Sequence, residues 1–304
     1  MALITNFAEI SQKHGMPSGT VVDQVIRRTP ILEAAPFYPT NTGMTHKWAE
    51  IKDVIAMQAT NRNDVYPTVG SDRQLDNLDC TLYTGTQEVH VDTAKEWGDG
   101  GAGAMAYFEE QNPVIVKQTL VDVETDLIYS EDRGFEVTAK AFGTLTAYAS
   151  SGSNFFSLYV VGWEQGNMMM MYPEGLYSSS GVVKETALNG GYRYKNSSNK
   201  SVYGKDMEMA IGFYPLNKLN LGGICNFKLA DIDADFYKAL NDKIALIEGD
   251  DVQVFAHPLV INRLRQAEEA QPSVDNGIQS WVWGNAKMIG SRNFLQGTEA
   301  LVTV

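Results

Sequence analysis

The sequence predicts an α+β protein in which strands dominate. Three observations carry that expectation. Between residues 155 and 227, the runs FFSLYVVGWE, MMMMYPEG, DMEMAIGFY and LNLGGICNF are rich in β-formers and are separated by Gly-, Ser- and Asn-rich connections. Upstream, TLYTGTQEVHV has the Thr, Tyr and Val content that suits a pleated surface. Between these blocks lies one long helical pattern, in which Val116, Leu120, Val123 and Leu127 follow 4-3-4 spacing with Val114, Val121 and Ile128 alongside.

In chain order, Leu3, Ile4, Phe7 and Ile10 make a short amphipathic start that breaks at Gly15-Met16-Pro17. Val21 to Leu32 reads as a helix ended by Thr29-Pro30, because the residue before a proline is pushed out of the helical region. The stretch AAPFYPTNTGMTH then reads as extended chain. Lys47–Ala59 and Leu78–Val91 read as the two strands of a long arm, with the polar TNRNDVYPTVGSDRQLDN as its irregular tip. A lone hairpin is marginal in water, so this arm is expected to lie against something else, such as a neighbouring subunit. Gly98 to Gly103 reads as a flexible hinge.

Asn112-Pro113 has the form of an N-cap and first turn, with the helix extended backwards through Ala104–Gln111 by a proline kink. Lys117, Gln118, Asp122 and Glu124 are assigned to its polar face. Phe236–Ile247 and Pro258–Ala270 read as helices flanking a buried strand, Val252–Ala256. The tail alternates again at Ile278, Trp281, Val282, Met288, Ile289, Leu301 and Val302. No internal repeat is legible.

Composition narrows the classes. The chain has 304 residues, 44% of them hydrophobic and 20% charged, which is globular composition. No apolar run reaches the ~18 residues of a membrane span, and the start has no signal-peptide pattern. Two cysteines, Cys80 and Cys225, make neither a disulfide framework nor a metal knuckle. The expectation is a soluble protein of a reducing cytoplasm. With 24 basic and 37 acidic side chains the formal charge is −13. Gripping nucleic acid requires clustered cations, and only Arg27-Arg28 and the scattered Arg193, Lys195, Lys200 and Lys205 are on offer.

Gly98-x-Gly100-x-x-Gly103 has dinucleotide-motif spacing but lacks the preceding apolar strand, so a hinge is the better reading. Glu88, His90 and Asp92 alternate on one strand face, spread over ~13 Å, too far apart to converge on one ion. Asp231, Asp233 and Asp235 open like a calcium loop, yet Phe236 stands where glycine is needed; they read as helix caps. Met168–Met171 reads as core filler. No nucleophile elbow or acid/base pair is evident, and Trp48, Trp97, Trp163, Trp281 and Trp283 suit core or interface anchors. No catalytic, cofactor-binding or metal-binding residue is assigned.

Several pieces, in order, resemble the major capsid proteins of tailed bacteriophages with the Hong Kong 97-type shell fold. They are Pro30-Ile31-Leu32-Glu33 leading to Pro36-Phe37, then Pro67-Thr68-Val69 within the extended arm, and a helix ending Leu127-Ile128-Tyr129. A strand closing on Trp163 and a second ending Tyr172-Pro173-Glu174-Gly175 follow. Met207–Phe227, then Phe255-Ala256-His257-Pro258, and finally Thr298–Val302 continue the likeness, which covers nearly the whole chain.

The resemblance implies an N-terminal arm (1–37), an extended loop (38–97), a peripheral domain with a long spine helix (98–156), an axial domain (157–277) and a C-terminal return to the peripheral domain (278–304). It implies a structural protein rather than an enzyme, with no cofactor and no membrane. Many copies would assemble as hexamers and pentamers into the icosahedral head. Scaffolding, portal and cement or decoration proteins are the implied partners, and the shell would enclose double-stranded DNA without reading its sequence. Assembly would take place in the host bacterial cytoplasm. A hinge at Gly98–Gly103 would let one chain occupy both kinds of capsomer. The alternatives are an encapsulin-type compartment, which shares the fold, and a β-rich carbohydrate-active enzyme.

Overall fold

The computed structural model describes residues 28–55, 70–149, 151–173, 183–267, 270–275 and 278–303. The first described element, α1 (Pro30–Ala34), has its proline in the first turn, where a missing N–H costs nothing. Thr29-Pro30 therefore opens a helix instead of ending one, and the rest of the helix expected from Val21 lies outside the described residues.

Next come β1 (Phe37–Pro39), β2 (Thr45–Ile55), β3 (Gly70–Asp79) and β4 (Thr81–His90). The expected arm is re-paired. β2 runs against β3, from Thr45 opposite Asp79 to Ile55 opposite Gly70. β3 comes from the stretch read as an irregular tip. Its sequence GSDRQLDNLD has no apolar face, so hydrophobic alternation gives no signal there. β4 belongs to a different sheet, and Cys80 marks the change, its N–H donating to the Met44 carbonyl.

The chain then turns through α2 (Val91–Trp97) into α3 (Gly100–Tyr129). α3 has thirty residues and continues through Asn112-Pro113, so the backward extension expected over Ala104–Gln111 is present and begins at Gly100. Two facts account for it. Ala104 and Phe108, upstream of the proline, are buried with Val89 and Ala94 and hold the first turns in place. The Asn112 side chain bonds Glu185 and Lys205 and is not available as a cap. Glu124 is also misassigned to the polar face: it is fully buried, four residues after Leu120 and three before Leu127.

The glycines at Gly98–Gly103 form a packed corner. A Cβ on Gly103 would meet the Ala94 carbonyl oxygen at 2.2 Å and that of Gly98 at 2.4 Å, so only glycine lets α2 fold back on α3. This is close backbone contact, not a slack hinge.

After α4 (Phe135–Ala141) and β5 (Leu145–Ala147) the strands dominate as expected: β6 (Phe156–Trp163), β7 (Met168–Tyr172), β8 (Val183–Ala187), β9 (Tyr194–Lys195), β10 (Ser201–Pro215) and β11 (Leu221–Phe227). Then follow α5 (Ala234–Leu246), β12 (Asp251–Ala256), α6 (Pro258–Leu264), β13 (Ala270–Asp275), β14 (Ile278–Trp283) and β15 (Ala286–Gly290). The helix expected over Pro258–Ala270 stops at Leu264, and β13 begins at Ala270.

One sheet runs β1-β7-β10-β4, with β8 and β9 also paired to the long β10. The other has the order β13-β14-β15-β12-β6-β11-β5. β14 and β15 thus extend the sheet of β6 and β12, and the boundary expected at residue 278 falls inside it. β6 is buried along its whole length because both sheet faces are covered. Tyr159, Val161 and Trp163 face α3, α4 and β10 in the larger core. Leu158 and Val160 face α5 and α6 in the second core, with Phe236, Leu240 and Ile261. At Gly162 a Cβ would sit 2.0 Å from the Glu248 carbonyl oxygen, so the β6 backbone needs glycine where that loop crosses it.

Candidate assembly surfaces and the buried carboxylates behind them

The β2–β3 ribbon forms a sheet of its own. Ten residues at about 3.4 Å each carry β3 roughly 34 Å. Its base is anchored: Trp48 lies edge-on to Tyr214 with ring centroids 4.9 Å apart, and Met44 and Leu78 pack on Cys80, Met169 and Met171. Further out, Leu75 is 81% exposed. A two-stranded ribbon with a bare leucine buries too little of its own surface to be self-sufficient.

Behind the ribbon, two carboxylates tie distant segments to α3. Glu124 accepts from the backbone N–H groups of Ile31 (2.9 Å) and Leu32 (3.2 Å), from the Asn293 amide (2.9 Å) and from the Ser291 hydroxyl. Asn293 also donates to the Arg28 carbonyl. Burial pushes the Glu124 carboxyl above its ordinary value, and its donors oppose that push. Four donors are the complement of an ionised carboxylate. Glu299 accepts from the hydroxyls of Tyr129 and Ser157. Burial raises it to about 7, opposed by those two hydroxyls and reinforced by the nearby Glu136 charge. The segments around residues 30 and 291–299 are thereby fastened to one helix.

A cleft of about 570 Å³ lies between β4, α3 and β10 and is lined by Asp79, Cys80, Tyr83, Asp126, Arg133 and Phe213 among others. Its polar groups are engaged with one another. Tyr83 donates to Asp126 at 3.0 Å, and Arg133 donates to the Asp79 carbonyl. Burial raises the Cys80 thiol to about 12, so it stays protonated and unreactive at neutral pH. Cys225 is likewise buried and raised to about 12.

The residues singled out from sequence fall into structural roles. β4 ends at His90, so Glu88, His90 and Asp92 do not share one strand face. Glu88 accepts from Tyr194 and Asn196, His90 caps α2, and Asp92 pairs with Lys95 at 3.0 Å. Asp233 caps α5 through the N–H groups of Asp235 and Phe236, and Asp231 accepts from the Lys228 N–H. Met168–Met171 is core on both faces of β7. Trp163 and Trp283 are buried and donate to Gln253 and Asn241. Trp281 carries the Arg265 guanidinium over its ring, and Trp97 is partly exposed against Tyr107.

Glu124, Lys205 and Glu299 went unrecognised in the sequence. For Glu124 a signal existed, since its spacing places it on the apolar stripe. The other two are defined by partners far away in the chain, which spacing does not reveal.

No family model matches the chain, and no curated protein matches it in sequence. Solved structures do match. A chain of bacteriophage Epsilon15 aligns over 97% of this chain and 98% of its own, with a TM-score of 0.60 at 15% identity. A chain of the bacteriophage JBD30 capsid aligns over 95% and 99%, with a TM-score of 0.56 at 9% identity. The holo-SrpI encapsulin complex from Synechococcus elongatus PCC 7942 aligns over 72% of this chain and 95% of its own, with a TM-score of 0.50 at 9% identity.

Proposed function

We propose, for a chain that has the Hong Kong 97-type capsid fold along nearly its whole length, that it is the major capsid protein of a tailed bacteriophage. The observation that carries this reading is the end-to-end likeness to phage chains, 97% of the protein against Epsilon15 and 95% against the JBD30 capsid. The ribbon supports it. Its outer part has a partner to find, and a neighbouring copy in a lattice supplies one.

On this reading residues 1–37 are an N-terminal arm and 38–97 an extended loop laid over the adjacent subunit. Residues 98–156 with α3 form the peripheral domain, 157–277 the axial domain, and 278–304 the C-terminal return. Copies of the chain associate as hexamers and pentamers into an icosahedral wall around DNA. Scaffolding and portal proteins direct closure, and a cement protein decorates it. A net charge of −13 suits a wall that must not hold the genome it encloses. The protein's work is mechanical, its place is the virion, and its assembly takes place in the host cytoplasm.

The encapsulin reading shares the fold but covers less of this chain. Negative-stain electron microscopy of the purified protein, alone and with a neighbouring scaffold gene, tests both. Shells, tubes or capsomer-sized rings are expected. Closed shells of one size from the chain alone favour the compartment, and a monodisperse one- or two-chain particle under both conditions overturns assembly altogether.

A further inference from the structure

Three of the four cations that the sequence scatters over residues 193–205 are gathered on one hairpin. β9 pairs with the start of β10, with Tyr194 opposite Val202 and Lys195 opposite Ser201. The turn between them brings Arg193, Lys195 and Lys200 together, all exposed. From Thr186 to Lys205 the chain has no Asp or Glu, in a protein whose acidic side chains outnumber its basic ones 37 to 24. The fourth cation, Lys205, is buried and paired with Glu185 at 2.8 Å.

Hydrogen bonds hold this hairpin in shape. Asn196 Oδ1 accepts from the N–H groups of Ser198 and Lys200, both at 3.1 Å, and Asn199 turns the chain at φ +58°. Tyr194 and Asn196 donate to the two oxygens of Glu88 at 2.7 and 2.8 Å, which fastens the hairpin to β4. Successive strand residues point to opposite faces, so Lys195 stands on the other face from Tyr194 and its carboxylate. The Lys195 ammonium donates to the Asn199 carbonyl at 3.0 Å. Among the described residues the ion pairs lie elsewhere, such as Lys95 with Asp92 and Lys184 with Glu208, and none includes Arg193, Lys195 or Lys200. Beside these cations Tyr192 is bare, 75% exposed.

We propose that this hairpin is a contact surface for the sugar-phosphate backbone of duplex DNA, touched without regard to sequence. Arg, Lys, Ser, Asn and Tyr are the side chains that bond phosphate oxygens and sugars, and Tyr192 to Ser201 consists of nothing else. An acidic protein would engage the cations alone and leave the exposed Tyr192 ring and the serine hydroxyls without a use. The net charge of −13 does not forbid the contact, because at 0.1 M salt exposed charges more than about 10 Å away are largely screened. Proteins that grip DNA make roughly 6–10 phosphate contacts. Three cations touch a duplex and release it, which agrees with a wall that does not hold what it encloses. That the duplex is an enclosed genome rests on the capsid reading; the surface itself does not.

The test is fluorescence anisotropy of short labelled duplexes of two unrelated sequences, titrated with the unassembled full-length chain. Equal affinity for both is expected, falling about 40-fold between roughly 50 and 200 mM salt, as three phosphate contacts require. Arg193→Gln, Lys195→Gln and Lys200→Gln together are expected to abolish binding. Lys47→Gln, Lys218→Gln and Lys238→Gln make the same change in net charge at other exposed positions and are expected to leave it nearly unchanged. Lys200→Gln alone is expected to lower the salt slope by about one. No binding by folded wild type at the lower salt overturns the proposal, as does equal loss in the two triple variants. Displacement of the duplex by polyglutamate as readily as by unlabelled DNA assigns the surface to an acidic protein and overturns it too. The assay needs no shells: a chain that binds duplex but never assembles loses the capsid reading alone, and shells built by a chain that binds no duplex overturn this proposal alone.

Discussion

Glu124 and Glu299 are both carboxylates withdrawn from water, and the number of donors around each separates their behaviour. Glu299 has two hydroxyl donors, is 5% exposed and is raised to about 7 from 4.5. The folded protein therefore keeps a proton that the unfolded chain gives up between those values, and stability falls as pH rises through that window. A shift of that size corresponds to about 3 kcal/mol. Glu299→Gln, neutral at every pH, is expected to lose this slope. Thermal melts from pH 5 to 7.5 check it, with wild type losing about 2 kcal/mol more than the variant; parallel slopes would count against the assignment. Glu124 was legible in the sequence to anyone who let spacing outrank charge, because 120, 124 and 127 lie on one stripe. Glu299 was not: its donors stand 170 and 142 residues away, and no local pattern encodes that meeting.

The α2–α3 corner shows how an element boundary becomes a packing constraint. Replacing Gly103 by alanine puts a methyl group against two backbone carbonyls, which have no rotamer to give way with. Gly103→Ala is expected to lower stability by about 1–3 kcal/mol in denaturant unfolding; an unchanged midpoint would show that the corner has slack. The helices α3 and α5 were legible from apolar residues at helical spacing, and β6, β7, β11 and β12 from short continuous β-forming runs bounded by turn residues. β3 was not, since GSDRQLDNLD carries no hydrophobic period. The backward extension of α3 through Ala104–Gln111 was legible despite Asn112-Pro113, a good local N-terminus, and the burial of Ala104 and Phe108 is what holds it.

At the scale of the whole molecule, the chain reads as a body with two buried cores and one ribbon that lacks a partner. Leu75→Asp separates the roles. It sits where the side chain is 81% exposed, so monomer stability is expected to stay within ±0.5 kcal/mol. If the ribbon lies on a neighbour, particle yield by sedimentation falls sharply, whereas normal particles would show that Leu75 remains in solvent after assembly. The α+β class was legible from strand-rich composition and one helix. The pairing of the strands was not, because β1 with β7 and β5 with β11 are parallel, long-range contacts that alternation does not specify.

The Glu124 junction also has a timetable. Ile31 and Leu32 are synthesised before the carboxylate they bond, but Ser291 follows it by 167 residues. At typical elongation rates that is on the order of 10–30 s on the ribosome. Throughout that interval the nascent chain holds a buried-type acid with half of its donors still unmade. The body can close only when the 291–299 stretch arrives, so a chain that stops short of it stays unfinished. Completion of synthesis is thereby written into the fold as a condition for closing the core around Glu124.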